Sequence, residues 1–298
     1  MGNAAMSRRL VLGAALLVPL AACGRTEGSG PVPPTAAGSD VQARFADLET
    51  RFGTRLGLHA VDTGTGRELA HRPDERFPLC STFKVLAVAA MLAGTPPGHL
   101  QTRVRYAAGD VVDASPVTAE HVTDGLTVAE LCDAALRYSD NTAGNLLLDD
   151  IGGPGAVTAF ARSLGDDVTR LDRRETELNS AIPGDERDTT SPRAIAADLR
   201  ELVLGDRLEM ADRTLLTGWM VRNTTGGTRI RAGLPADWRI GDKTGAGRYG
   251  TVNDIAVAWP PGRAPIVLAV LSTRNGEEEK GDDAVLVEAA RIVAAELG

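Results

Sequence analysis

The stretch CSTFK, residues 80–84, brings a hydroxyl and an amine together at a spacing that could do chemistry. Lys84 follows Ser81 by three residues and opens the apolar run VLAVAAMLA. Residues three apart share one face of a helix, so the amine of Lys84 can reach the hydroxyl of Ser81. A lysine held there can accept the serine proton and activate the oxygen as a nucleophile. Alone the pattern is weak, because a helix-start serine with a solvated lysine satisfies it too.

Two further short motifs follow in the chain. Ser139-Asp140-Asn141 lies in the break between two helical stretches, where such a sequence commonly caps a helix. Lys243-Thr244-Gly245 ends a predicted strand and by itself indicates only a strand edge that runs into a turn. In this chain order, however, SxxK, SDN and KTG form the signature of class A β-lactamases and penicillin-binding proteins.

Over residues 40–298 the chain resembles a class A serine β-lactamase. Other stretches carry the resemblance: SPVT at 115–118, NTAGNLLL at 141–148, ETELN at 175–179 and AIPGDERDTTSP at 181–192. It implies hydrolysis of β-lactam antibiotics through a serine acyl-enzyme that a Glu-activated water releases. We expect no cofactor, and the four histidines form no zinc motif.

The resemblance also assigns the catalytic residues. The five expected catalytic residues are Ser81, Lys84, Ser139, Glu175 and Lys243. Ser81 would be the nucleophile, and either Lys84 or Glu175 would take its proton, a choice that the resemblance leaves open. Ser139 would relay a proton to the leaving lactam nitrogen, and Lys243 would add positive potential near it.

A second set of residues is expected to bind the substrate. Its members are Asn141, Asn179, Thr244, Gly245, Ala246 and Arg229. Asn141 would bind the amide of the substrate side chain, while Glu175 and Asn179 would hold the hydrolytic water. The backbone N–H groups of Ser81 and Ala246 would form an oxyanion hole.

Some positions depart from the family pattern. Ala114 stands before SPVT where an aromatic residue is usual, which predicts a wider cleft entrance. Val252 occupies the strand position where many members have an arginine. We therefore expect Arg229 to hold the substrate carboxylate, and Arg231 to be structural.

The loop that contains ETELN, here called the Ω loop (residues 173–188), carries two more expectations. The resemblance implies a cis bond between Glu175 and Thr176. It also implies an ion pair between Arg173 and Asp188. No disulfide is expected, because the family's partner for Cys132 falls at Val88, and Cys80 lies too far along the helix from that position.

Two alternatives remain open at this stage. A penicillin-binding D-Ala-D-Ala peptidase or transpeptidase shares the serine, the lysines and the fold, but it lacks an acid that activates water. Glu175 and Asn179 therefore favour the hydrolase. A more distant alternative is a non-catalytic lipoprotein that binds the cell wall, which would not need the five chemical residues.

The N-terminus indicates export. Arg8 and Arg9 precede the apolar run LVLGAALLVPLAA, which is too short for a permanent membrane span, so residues 1–22 read as a signal peptide. Cys23 follows small residues as in a lipobox, and residues 23–39 would form a lipid-anchor cysteine and flexible linker. The only expected membrane contact is this lipid anchor, on the outer face of the cytoplasmic membrane, unless the protein is secreted.

The bulk composition is that of an ordinary globular protein, with 43% hydrophobic and 24% charged residues. The formal net charge is −8, and no basic stripe or run is present. Nucleic acid is therefore not an expected partner. The expected partner is a small β-lactam, and the chain is expected to be a monomer.

The order of predicted strands and helices indicates the fold that positions these residues. Strand-type segments lie at both ends of residues 40–298, and helical stretches fill the middle. This order predicts an α+β fold with one antiparallel sheet built from both chain ends and covered by the terminal helices. The α/β lobe would span about 40–80 and 223–298, and an inserted all-α lobe about 81–222. A cleft between two lobes is a natural site for a small molecule.

Overall fold

The computed structural model describes residues 36–298. Cys23, the expected signal peptide and most of the expected linker lie outside the described residues. Helix α1 (Ala36–Phe52) begins four residues before residue 40, inside the segment expected to be linker. Within 36–298, no helix is both long and apolar enough to cross a membrane.

The centre of the fold is a five-stranded antiparallel sheet made from both ends of the chain. Its strands are β1 (Arg55–Asp62), β2 (Glu68–His71), β7 (Arg239–Gly247), β8 (Thr251–Trp259) and β9 (Ile266–Thr273), in the order β2-β1-β9-β8-β7. Strands β1 and β2 form an antiparallel hairpin joined by the segment TGTG at 63–66. Two small two-stranded ladders pair β3 (Phe77–Pro78) with β6 (Thr189–Thr190) and β4 (Arg103–Val104) with β5 (Leu126–Thr127).

Helices cover both faces of the sheet. After α1 they are α2 (Phe83–Gly94), α3 (Val128–Arg137), α4 (Asn141–Ile151), α5 (Pro154–Ser163), α6 (Pro192–Val203), α7 (Met210–Val221), α8 (Ile230–Gly233) and α9 (Ala284–Leu297). The terminal helices α1 and α9 pack together against one face, and α6 and α7 contact the other. The α+β fold expected from the sequence is confirmed.

Strand β9 shows how one strand supplies two hydrophobic cores. Side chains alternate between the two faces of a strand. Ile266, Leu268 and Val270 accordingly belong to the core under α1 and α9. The intervening Val267, Ala269 and Leu271 belong to the larger core that contains the helical middle of the chain. Because both faces are covered, the strand reads as a continuous apolar run.

Helix α2 lies at the centre of the helical middle. It contacts α3, α4, α5, α6 and α7. Nine of its twelve residues are buried, from Phe83 to Leu92. Its apolar sequence therefore reflects burial on every side, and the one charged member, Lys84, requires polar partners inside the core.

Candidate active site

Ser81 and Lys84 meet at the start of α2. Ser81 lies on a short 3-10 turn, Cys80–Thr82, that leads into the helix. The Lys84 Nζ donates a hydrogen bond to Ser81 Oγ over 2.9 Å. Cys80, directly before the serine, has φ of +46°, a conformation that costs a non-glycine residue energy and that clusters at functional sites.

The Lys84 ammonium is fully buried and has three further acceptors. Its Nζ lies 2.8 Å from Ser139 O, 2.6 Å from Asn141 Oδ1 and 3.0 Å from Glu175 Oε1. Burial lowers the pKa of Lys84, while the charges of Glu175 and Asp140 act in the opposite direction. The lysine therefore sits where losing its proton is easier than in water.

The SDN motif turns the chain between α3 and α4. Ser139 has φ of +56° and its Oγ accepts a hydrogen bond from Lys243 Nζ over 2.9 Å. Lys243 is fully buried, and burial together with repulsion from Lys84 holds its pKa well below the usual range. Two buried lysines thus contact two different serines of the same site, Lys84 with Ser81 and Lys243 with Ser139.

Asp140 fixes the surrounding backbone. Its carboxylate caps α4 by accepting from Ala143 N over 2.9 Å. The same group accepts from Val117 N and from Thr118 N, both over 2.9 Å, and from Thr118 Oγ1 over 2.8 Å. This buried carboxylate therefore ties the SPVT stretch to the turn that presents Ser139.

Glu175 in the Ω loop reaches the nucleophile from the other side. Ser81 Oγ donates to Glu175 Oε1 over 3.1 Å, and Asn179 Nδ2 donates to Glu175 Oε2 over 2.5 Å. Asn179 Oδ1 is buried and has no hydrogen-bond partner among residues 36–298. The bond between Glu175 and Thr176 is cis, as expected.

Two contacts hold the Ω loop in place. Asn145 in α4 clamps the backbone of Glu175: its Nδ2 donates to Glu175 O over 2.8 Å, and its Oδ1 accepts from Glu175 N over 3.0 Å. At the base of the loop, Arg173 Nε lies 2.5 Å from Asp188 Oδ2. The ion pair expected between Arg173 and Asp188 is therefore present.

The KTG strand β7 passes close to the nucleophile. A Cβ atom at Gly245 would lie 3.0 Å from Leu79 O and 3.3 Å from Ser81 N, closer than real Cβ atoms usually come. Glycine thus permits the strand to approach the turn that carries the serine. The next residue, Ala246, lines the cavity described below. On the other side of Gly245, Thr244 Oγ1 lies 2.6 Å from Thr225 Oγ1.

Arg229 reaches the same strand from the turn before α8. Its Nε bonds Asp283 Oδ1 over 2.9 Å, and its Nη1 donates to Gly245 O over 2.7 Å and Asn253 O over 2.8 Å. Within residues 36–298 no acceptor bonds its Nη2. A guanidinium has five N–H groups, so this end remains able to bind an anion.

These residues surround one cavity of about 620 Å³. Its lining comprises Ser81, Ala114, Ser115, Pro116, Tyr138, Ser139, Asn141, Asn179, Arg229, Thr244, Gly245 and Ala246. Lys84, Glu175 and Lys243 lie beneath this surface as buried partners of the lining groups. The structure therefore brings all eleven expected catalytic and substrate-binding residues to one place.

Sequence reasoning missed several supporting residues. Asn145 stands one turn after Asn141 as the last polar residue before LLL, which could have marked it as facing the site. Asn253, a buried polar residue beside Asp254 in strand β8, donates from Nδ2 to Pro78 O over 2.7 Å and so steadies the turn before the nucleophile. Tyr138 lines the cavity, although its exposure could not be read from a local pattern.

The described cysteines take no part in this chemistry. Cys80 and Cys132 are both buried free thiols. Burial raises the pKa of each thiol. Neither is therefore a reactive thiolate at neutral pH.

Comparison with known proteins identifies the family. A sequence model described as the β-lactamase enzyme family matches residues 40–297. The chain is 56% identical over 298 residues to β-lactamase AST-1 of Nocardia asteroides, with 98% of this chain and 96% of that protein covered. It is 51% identical to a β-lactamase of Mycobacterium tuberculosis, with 97% of each covered.

Solved structures agree. The β-lactamase of Streptomyces albus G superposes with a TM-score of 0.86 at 54% identity, covering 87% of this chain and 100% of that one. An ancestral class A β-lactamase superposes with a TM-score of 0.82 at 58% identity, covering 86% and 99%. The chain therefore belongs to the β-lactamase family and is a class A serine β-lactamase, a hydrolase that acts on β-lactam antibiotics.

Proposed function

We propose that the enzyme hydrolyses β-lactams in two half-reactions at Ser81, an acylation and a deacylation. The observation that carries this proposal is the shared contact of Ser81 Oγ with Lys84 Nζ at 2.9 Å and with Glu175 Oε1 at 3.1 Å. The Glu175 carboxylate can accept the proton of this oxygen directly, and Lys84 can accept it once its own proton has passed to Glu175 Oε1, 3.0 Å away.

In acylation, Ser81 Oγ attacks the lactam carbonyl carbon. A new C–O bond forms, the lactam C–N bond breaks, and the serine proton passes to Lys84 or Glu175. Ser139 then relays a proton to the leaving nitrogen. Its hydrogen bond from Lys243 Nζ, 2.9 Å long, supports this role because that donor stabilises the negative charge left on Ser139 Oγ when the hydroxyl gives up its proton.

Substrate binding uses both ends of the cavity. Arg229 Nη2, Thr244 and Lys243 bind the carboxylate that penicillins and cephalosporins carry, since a guanidinium and a carboxylate match geometrically. Asn141 binds the substrate's side-chain amide. Its Nδ2 donates one hydrogen bond to Asp113 O over 2.9 Å, which leaves its second N–H for the substrate.

The oxyanion hole lies where β7 meets the nucleophile turn. The backbone N–H groups of Ser81 and Ala246 stabilise the negative charge that develops on the lactam oxygen. The close approach of Gly245 to Ser81 N supports this assignment.

Deacylation depends on Glu175 and Asn179. Glu175 takes a proton from a water that attacks the ester carbon, the bond from that carbon to Ser81 Oγ breaks, and the proton returns to Ser81 Oγ. Asn179 Oδ1, which has no protein partner in the described part of the chain, positions that water. This pair also distinguishes the enzyme from a penicillin-binding peptidase, whose acyl-enzyme persists because no acid activates water.

The N-terminal sequence supports export and anchoring. Residues 1–22 direct the chain out of the cytoplasm, and lipid on Cys23 retains it at the outer face of the membrane. One chain supplies every proposed catalytic group, so the proposed reaction needs no second subunit. No nucleic acid and no cofactor take part.

Turnover by the purified domain, residues 36–298, tests the proposal. With a chromogenic cephalosporin in excess, we expect many equivalents to be hydrolysed for each enzyme molecule. A single burst of one equivalent without further turnover would instead indicate a penicillin-binding peptidase.

A further inference from the structure

One part of the active-site cavity has no role in the reaction as proposed. Besides the residues assigned above, the lining includes Ala114, Pro116 and Tyr138. Tyr138 is the largest of these and is 37% exposed. It directly precedes Ser139, the proposed proton relay. An exposed aromatic ring in a ligand cavity offers a large contact area to a substrate.

Backbone contacts of Arg137, the residue before Tyr138, join this turn to the carboxylate end of the cavity. The carbonyl of Arg137 accepts hydrogen bonds from Thr224 N over 3.0 Å and from Thr224 Oγ1 over 2.7 Å. The next residue, Thr225, contacts Thr244 Oγ1 over 2.6 Å. Tyr138 therefore lies on the side that takes the leaving nitrogen and the ring fused to the lactam.

The ring of Tyr138 is supported from behind. The guanidinium carbon of Arg137 lies 5.0 Å from the ring centroid. This guanidinium is itself held by Asp133 Oδ2 at 3.1 Å and Arg222 O at 3.2 Å. Tyr138 N also donates to Ala134 O over 3.1 Å, which continues the pattern of α3. One face of the ring is thus covered by a fixed cation, and the exposed part lines the cavity.

We infer that Tyr138 selects β-lactams that carry a planar aromatic substituent on the ring fused to the lactam. The inference rests on the proposed roles of Ser139 and Thr244, which put the fused ring on this side. The substituent stacks on the exposed ring surface. Ala114 presents only a methyl group at the entrance, so a large substituent has room.

Three cephalosporins that share a thienylacetyl side chain separate this contact from the rest of the site. Cephalothin carries an aliphatic acetoxymethyl group at C3, cephaloridine a pyridiniummethyl group and nitrocefin a dinitrostyryl group. Tyr138→Ala should lower kcat/KM for cephaloridine and nitrocefin by roughly 2- to 12-fold relative to cephalothin, mainly through KM. Tyr138→Phe keeps the ring and should retain the wild-type ratios.

The remaining outcomes are distinguishable. Equal losses on all three substrates, or losses in Tyr138→Phe that match those of Tyr138→Ala, would overturn the inference. If Tyr138→Ala does not fold, Tyr138→Leu keeps apolar volume without a π-system and should show the same selective loss. Failure of the wild-type enzyme to turn over any of the three would refute the proposed site roles instead.

Discussion

Two opposing influences act on the pKa of the Lys84 amine. Complete burial lowers its pKa, whereas its ion pair with Glu175 favours the charged form. Its Nζ contacts both Ser81 Oγ at 2.9 Å and Glu175 Oε1 at 3.0 Å. The serine proton can move directly to Glu175, or to Lys84 after the lysine has given a proton to Glu175, so the two candidate bases act as one coupled unit.

Arg229 supplies the first prediction at the residue scale. A hydrogen bond to a charged group contributes about 1.5–3 kcal/mol. Arg229→Ala should therefore lower kcat/KM on penicillins by roughly 10- to 150-fold. Steady-state kinetics measure this, and an unchanged kcat/KM would mean that the substrate carboxylate is held by other groups.

Arg231→Ala is the matched control, with a different expected effect. Arg231 Nε lies 2.5 Å from the fully buried Asp242, and its Nη2 donates to Met220 O and Val221 O. Removing it leaves a buried carboxylate without its cation, which should cost about 3 kcal/mol of stability. We therefore expect Arg231→Ala to lower the midpoint of thermal unfolding, and Arg229→Ala to lower kcat/KM.

At the scale of elements, two buried carboxyl groups connect the segment before the Ω loop to α6. Asp166 Oδ1 accepts from Val168 N over 2.7 Å and Thr169 N over 2.9 Å. The Oδ2 atoms of Asp166 and Asp198 have no hydrogen-bond partner within residues 36–298. Burial, and then repulsion from Asp166, raises the pKa of Asp198 to about 9, with Arg162 acting in the opposite direction. Asp198 is therefore protonated at neutral pH and can donate to Asp166.

This pair predicts a pH dependence of stability. An unfolded aspartate has a pKa of about 3.9, so between roughly pH 4 and 9 the folded state binds one proton more than the unfolded state. The contribution of Asp198 to the free energy of unfolding is fully present below about pH 4 and is lost as the pH rises to about 9. Asp198→Asn keeps a donor but does not titrate.

Calorimetry at several pH values between 6 and 9 measures the difference. As the pH rises, the free energy of unfolding of the wild type should fall by up to about 1.4 kcal/mol per pH unit relative to that of Asp198→Asn. Parallel stability curves for the two proteins would show that Asp198 is already ionised in the folded state at neutral pH.

For the whole molecule, the N-terminal cysteine supplies a prediction about location. Cys23→Ala should release the enzyme from membranes into the medium without lowering its specific activity, because every proposed catalytic residue lies between Ser81 and Lys243. Activity assays on membrane and medium fractions measure this. Unchanged retention in the membrane fraction would contradict a lipid anchor at Cys23.

The sequence predicted the parts of the site that depend on local geometry or on a motif. Ser81 and Lys84 are three residues apart, so helical periodicity alone suggested their contact. The contact between Lys243 and Ser139 joins residues 104 positions apart, and only the family resemblance suggested it. The ion pair of Arg229 with Asp283 could be predicted neither from helical periodicity nor from the family resemblance, because long-range partners are set by tertiary packing.

Glu175-dependent release of an ester on Ser81 is the central claim, and intact-protein mass spectrometry after exposure to benzylpenicillin tests it most directly. Glu175→Ala should accumulate a stable adduct with the mass of one whole penicillin, because opening the lactam expels no fragment. The wild type should return to its free mass, and Ser81→Ala should form no adduct. Rapid loss of the adduct from Glu175→Ala, or an adduct on Ser81→Ala, would contradict the mechanism.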